Sequence, residues 1–144
     1  MSCYLLDANV LIPLLWPRHT QKDKVRAWFQ AKAAESFATC SLTQAGFVRL
    51  TCSPEVMGEK YPLRDAKQLL WTFTNQPAHI FWPTTLSLFD AMAPFEKRMQ
   101  GAKQITDAYL LGIAKSHGGK LATVDRAIKS LAGSEHIDLV EWIE

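Results

Sequence analysis

Long apolar runs are missing from this sequence. No continuous apolar stretch reaches the ~18 residues that a bilayer span requires, and the N-terminus lacks the basic start and extended apolar core of a secretory signal. No membrane partner is expected, and a reducing cytoplasm is the expected compartment. Cysteine is scarce: Cys3, Cys40 and Cys52 form an odd set with no CxxC or Cys/His spacing. A disulfide framework and a thiolate zinc site are therefore not indicated, and the three read as small core residues. Repeats, low-complexity tracts and Gly/Ser linkers are also missing, which argues against solenoids and tethered modules. Nor does either sign of charge dominate, since 16 Lys and Arg face 14 Asp and Glu for a net charge of +2. So small a total permits a nucleic-acid partner without demanding one, because phosphate affinity depends on where the cations cluster.

What is present is a chain of 144 residues, 48% hydrophobic and 21% charged, the profile of one globular domain over residues 1–144. Strand-like and helix-like stretches alternate. Cys3–Leu6, Phe37–Cys40, His79–Pro83, Lys120–Val124 and Ile137–Trp142 read as strands. Between them, helices are expected from Ala8 onward, through Val25, Trp28 and Phe29 to about Glu35, and over Thr43–Thr51. Others run from Pro62 with Ala66, Leu69, Leu70 and Phe73 on one face, over about Leu86–Met99, and over Asp107–His117 with Thr106 as N-cap and Gly118–Gly119 as stop. A short helix follows Asp125. Strands separated by helical crossovers cannot form hairpins, so the expected fold is α/β: a three-layer α/β/α sandwich around a mostly parallel sheet of about five strands.

Ligands of such sheets bind beyond the carboxyl ends of the strands. Three acids fall there. Asp7 interrupts the apolar run "YLLDANVLIPLL" where the first strand gives way to helix, Asp125 follows "LATV", and Asp107 lies in the first turn of the helix leading into that strand. Any one of them is equally explained as a helix cap. Capping, however, does not require three carboxylates on one edge, and like charges brought together destabilise one another without a cation. Oxygen ligands of this kind suit Mg²⁺ or Mn²⁺.

"LLDANVLI", "TQAGFVRL" and "QITDAYLLGIAKSHGGKLATVDRAI", in that order and over nearly the whole chain, resemble the PIN domain, in particular the VapC-like ribonuclease toxins of bacterial toxin–antitoxin pairs. The resemblance implies a Mg²⁺- or Mn²⁺-dependent endoribonuclease cutting an RNA, transfer or ribosomal by analogy. It also implies a cognate antitoxin protein that holds the enzyme inactive. Asp7, Asp107 and Asp125 match the family acids as catalytic and metal-binding residues, while Asn9 and Thr123 match the small polar positions that support them. The family usually carries a glutamate in the helix after the second strand. Here no acid occurs from Ser36 to Cys52, Gly46 stands near the expected place, and Gln44 could offer a neutral amide oxygen or simply be solvated.

Arg49 and Lys103 are the candidates for RNA phosphate contact, with Arg18, His19 and Lys22 a weaker cluster; a solvated surface role is the competing reading for all of them. His79, His117 and His136, the last in an expected loop, do not look like general bases. The apolar faces around Trp28, Phe29, Trp71 and Phe73 suggest a homodimer. An aspartyl phosphoacceptor is disfavoured, because "DAN" lacks the paired acid of dehalogenase-type phosphatases and no Lys follows the last strand as in receivers. The non-enzymatic alternative is a catalytically degenerate PIN-like module that binds RNA or protein without cutting.

Overall fold

The computed structural model describes residues 2–144. Five short strands, β1 (Tyr4–Leu6), β2 (Phe37–Thr39), β3 (His79–Phe81), β4 (Lys120–Thr123) and β5 (Val140–Trp142), form one sheet in the order β3-β2-β1-β4-β5. All four pairings are parallel. Central β1 is apolar at every position because helices cover both faces, and Tyr4, Leu5 and Leu6 are all buried. This is the expected α/β/α sandwich.

On one face lie α1 (Ala8–Leu15), α2 (Lys22–Trp28) with its π-helical extension Phe29–Ala33, α3 (Ser41–Thr51), the single turn α4 (Pro54–Met57) and α5 (Leu63–Thr74). Leu6 and Phe37 of the sheet pack there with Val10, Leu11, Val25, Phe47 and Phe73. The other face carries α6 (Leu88–Met92), α7 (Ile105–Ser116) and α8 (Ala127–His136), with Leu5, Ala38 and Leu121 against Phe95, Leu111, Ile113 and Leu131. The period-2 alternation of the strands thus divides the core in two. No helix among the described residues is long and apolar enough to cross a membrane.

Several boundaries differ from expectation. α3 begins at Ser41, two residues early, because Thr43 Oγ1 accepts from the Cys40 amide at 3.0 Å and closes the first turn. Thr106 is not the cap of α7: a 3-10 turn, Ala102–Gln104, runs directly into that helix, so winding is already established when Thr106 is reached. The stretch expected as one helix over Leu86–Met99 splits into α6, capped by Ser87, and a 3-10 segment Ala93–Arg98 containing Pro94. Ile137–Leu139 is a 3-10 turn rather than strand, since β4 offers a partner only from Val140 onward. His136 follows a break in α8 at Gly133, where φ is +68°, and sits edge-on to Phe95 at 5.1 Å. Of the cysteines only Cys40 is fully buried; all three are free thiols.

The stop after α7 holds as read: Gly118 adopts φ +67°, which an L side chain rarely tolerates, and β4 follows at once. Within α7, Gly112 lets α6 approach closely, and an added Cβ would strike the Ala91 carbonyl oxygen and Cα. Gly112→Ala is therefore expected to cost about 1–3 kcal/mol by overpacking, visible as a drop of several degrees in Tm despite the better helix propensity of alanine.

Candidate active site

The chain lays β1, β2 and β3 outward in one direction and then returns to place β4 on the other side of β1. This reversal opens a crevice at the carboxyl ends of β1 and β4, where open parallel sheets bind ligands. Asp7 leaves β1 at that point and Asp125 leaves β4 two residues beyond Thr123, while Asp107 enters from the first turn of α7.

Asp7 is anchored at both carboxylate oxygens. Oδ1 accepts from the Ala8 amide at 2.8 Å, capping α1, and Oδ2 accepts from Thr123 Oγ1 at 3.1 Å. Thr123 is buried, and its hydroxyl also accepts from Asn9 Nδ2 and from the Asp125 amide, each at 3.1 Å. Asn9 Oδ1 in turn accepts from the Val124 amide at 3.3 Å. One threonine hydroxyl thus ties the end of β1 to the end of β4. The structure brings Asp7, Asn9, Thr123 and Asp125 together as expected.

The electrostatics are those of negative charges gathered without compensation. Burial, then the charge of Asp107, pushes the Asp7 carboxyl up to about 6 against the pull of its Thr123 and Ala8 hydrogen bonds. Asp107, half-buried, is likewise pushed up to about 6 by burial and then by Asp125. Asp125 is exposed and caps α8 through Oδ1, which accepts from the Ala127 amide at 3.0 Å. Among the described residues three ion pairs form, Lys32–Glu141, Arg64–Asp65 and Arg98–Glu135, and none engages these acids.

The donor set is all oxygen, as a hard divalent ion requires. It does not close as a cage: among the described residues no group of three His, Cys, Asp or Glu side chains is poised to grip one ion.

Gln44 stands apart from the acids. Its Nε2 donates to Thr39 Oγ1 at 3.0 Å, and Thr39 Oγ1 lies 2.7 Å from His79 Nε2. The part of α3 that meets the helix behind Asp7 is Gly46, whose added Cβ would lie 3.1 Å from Ala8 Cβ, so α3 contributes no carboxylate here. Lys103 is exposed in the turn just before α7, whereas Arg49 is exposed in the last turn of α3 with no polar contact to the acids. Sequence reading missed Arg126 and Lys129, which lie over the Trp142 ring at 5.4 and 4.8 Å beside Asp125. Their i, i+3 spacing was visible; Trp142 joins them only through the pairing of Thr123 with Trp142 across β4 and β5. His117 stacks flat on Trp82 at 4.6 Å, away from any acid contact.

Comparison with known proteins gives this geometry a family. The PIN domain family model matches residues 4–134. The chain belongs to the PIN domain family. Ribonuclease VapC38 of Mycobacterium tuberculosis is 38% identical over 128 residues, which is 89% of each chain. Among solved structures, Mycobacterium tuberculosis VapC20, a Sarcin-Ricin loop cleaving toxin, superposes with a TM-score of 0.66 at 12% identity, covering 93% of this chain and 98% of its own. VapBC2 from Rickettsia felis, bound to a DNA fragment from its promoter, gives 0.64 at 11% identity over 99% of both chains. At these identities the two structures speak for the fold alone.

The raised carboxyls of this PIN domain set a sign for stability against pH. Between about 4 and 6 the folded state retains protons on Asp7 and Asp107 that the unfolded chain has released, so their contribution to stability falls as pH rises through that window and returns below it. In EDTA, Asp7→Asn and Asp107→Asn should therefore melt above wild type at pH 8, with the gap closing toward pH 4.5. A simple capping role predicts no gap at either pH, and thermal melts across the range distinguish the two.

Proposed function

We propose that residues 1–144 act as a single divalent-metal-dependent endoribonuclease domain, the toxin of a toxin–antitoxin pair. The observation that carries this reading is the trio of carboxylates at the crevice between β1 and β4, which enter no ion pair among the described residues, two of them raised to about 6 by burial and then by a neighbouring acid. The ribonuclease relatives named above supply the substrate class. Asp7, Asp107 and Asp125 would hold Mg²⁺ or Mn²⁺, which when bound supplies charge for phosphoryl oxygens and a lowered pKa for water. Thr123 and Asn9 are positioning residues: the Thr123 hydroxyl holds Asp7 Oδ2 in place and Asn9 fixes that hydroxyl. Asp7 and Asp107 must both be deprotonated to hold the ion, so protons compete with it and cleavage falls as the pH is lowered into the acidic range.

Incubation of the purified chain with total cellular RNA tests the reading. Cleavage should appear with Mn²⁺ or Mg²⁺, vanish in EDTA, and fall at least a hundredfold in Asp7→Asn and Asp107→Asn with circular dichroism unchanged. Intact RNA under every metal condition would favour the degenerate, binding-only module, for which the lack of a carboxylate on α3 is the specific argument.

The partners in this reading are a transfer or ribosomal RNA, a cognate antitoxin and a second copy of the chain. The dimer's support is narrower than the sequence suggested. Phe29 and Phe73 are buried, Trp28 is half-buried and donates to Glu141, and of the four aromatics only Trp71 stays exposed, at 67%, beside Leu63 at 57% on α5. A dimer by light scattering at micromolar concentration, converted to monomer by Trp71→Ser, is expected. A monomeric wild type would remove the dimer.

A further inference from the structure

Beside the acids lies a polar hollow of about 480 Å³ that neither the metal nor the supporting network uses. Lys97, Arg98, Gln100 and Gln104 line it from the segment preceding α7, and Ala127 and Ser130 line it from α8. It adjoins the site on two sides. Gln104 immediately precedes the helix that carries Asp107, and the Ala127 amide is the group donating to Asp125 Oδ1.

The lining carries unspent polar capacity. Gln104 Oε1 accepts from the Gln100 amide at 2.6 Å, which fixes that end of the loop and leaves the Gln104 NH₂ pointing elsewhere. The side chains of Gln100 and Ser130 enter no side-chain hydrogen bond among the described residues, and both are exposed. The two cations differ. Arg98 lies against Gly133, where an added Cβ would strike its guanidinium, and reaches toward Glu135 at 3.8 Å. Lys97 is exposed and, among the described residues, belongs to no ion pair.

The geometry points to a nucleotide subsite: the hollow receives one unpaired nucleotide of the RNA next to the scissile phosphate, with Gln100 and Ser130 meeting the base edge and Lys97 the phosphate. Amides and hydroxyls offer both donors and acceptors, which is what a base edge requires. The nucleotide must be unpaired because the deep, narrow major groove of an A-form helix closes those base edges to side chains, and pairing occupies the Watson–Crick edge. A lysine on the wall of the hollow that is held by no ion pair among the described residues can attract a phosphate without first giving up a partner. The hollow would then set which sequence is cut. This inference rests on the ribonuclease reading.

Two arms test it separately. In the first, cut sites of wild type and variants in total RNA with Mn²⁺ are mapped by sequencing. Wild type should show a base preference at one position flanking the cut, and Gln100→Ala and Ser130→Ala should each flatten it by about fivefold or more. The second arm uses fluorescence anisotropy with short homopolymeric single-stranded RNAs and proteins carrying Asp7→Asn, so that nothing is cut. Lys97→Gln should weaken binding to every homopolymer and lower the salt slope by about 0.7, the loss of one phosphate contact. The three variant positions are exposed, so folding is preserved. Unchanged base preference in the first two variants together with an unchanged salt slope in the third would overturn the subsite, as would a wild type with no preference. If no RNA is cut while anisotropy follows the expected pattern, the nuclease reading fails and the nucleotide site stands.

Discussion

Burial of carboxylates within one another's field, at the reversal between β1 and β4, is the constraint on which the site depends. A helix cap would be served by any one of these acids, and the sheet would form without them. Instead Asp7 is packed behind the strand ends within the field of Asp107 and Asp125, and its proton affinity rises although two hydrogen bonds favour the ion. Holding such a group in place takes a scaffold that does not relax away. The Thr123 hydroxyl provides it, since it is buried at the end of a strand and engaged by three partners from two parts of the chain.

The surrounding cations follow the same logic. Arg126 directly follows Asp125, yet lies over the indole of Trp142. Lys129 does the same from one turn further along α8. The aromatic face gives the two cations a resting place of modest energy, which keeps them near the acids without neutralising them. Positive charge is thus stationed around the crevice while its negative centre remains open to a divalent ion.

Much of this was legible in the sequence because the signals were local. Asp7 stands out as a carboxylate inside an apolar run, and the alternation of strands and helices was enough to place Asp7, Asp107 and Asp125 on one edge. Asn9 and Thr123 were indicated by resemblance, and their hydrogen bonds give that indication a physical content. What stayed hidden depends on long-range pairing or on backbone detail. The cation cluster on Trp142 needs the β4–β5 register, and the start of α7 was misplaced because a 3-10 turn leads into it without a side-chain cap. Gln44 has the right chemistry for a ligand, but its amide nitrogen donates to Thr39 Oγ1, which in turn meets His79 Nε2, a contact between α3 and the β2–β3 pair that the linear sequence does not show.

The Thr123–Asp7 hydrogen bond spans 116 positions of sequence, and this separation has a bearing on how the protein is made. Ribosomes add roughly 5–20 residues per second, so β1 waits about 6–23 s for the strand that completes its pairing. Until β4 emerges the nascent chain lacks Asp125, for most of the interval it lacks Asp107 as well, and its central strand has no neighbour on one side. A prematurely terminated product ending before β4 therefore carries an incomplete acid cluster and an unpaired sheet edge, the features that mark a chain for aggregation or degradation. A chain truncated before β4 lacks both the second wall of the crevice and Asp125, so it cannot assemble the site.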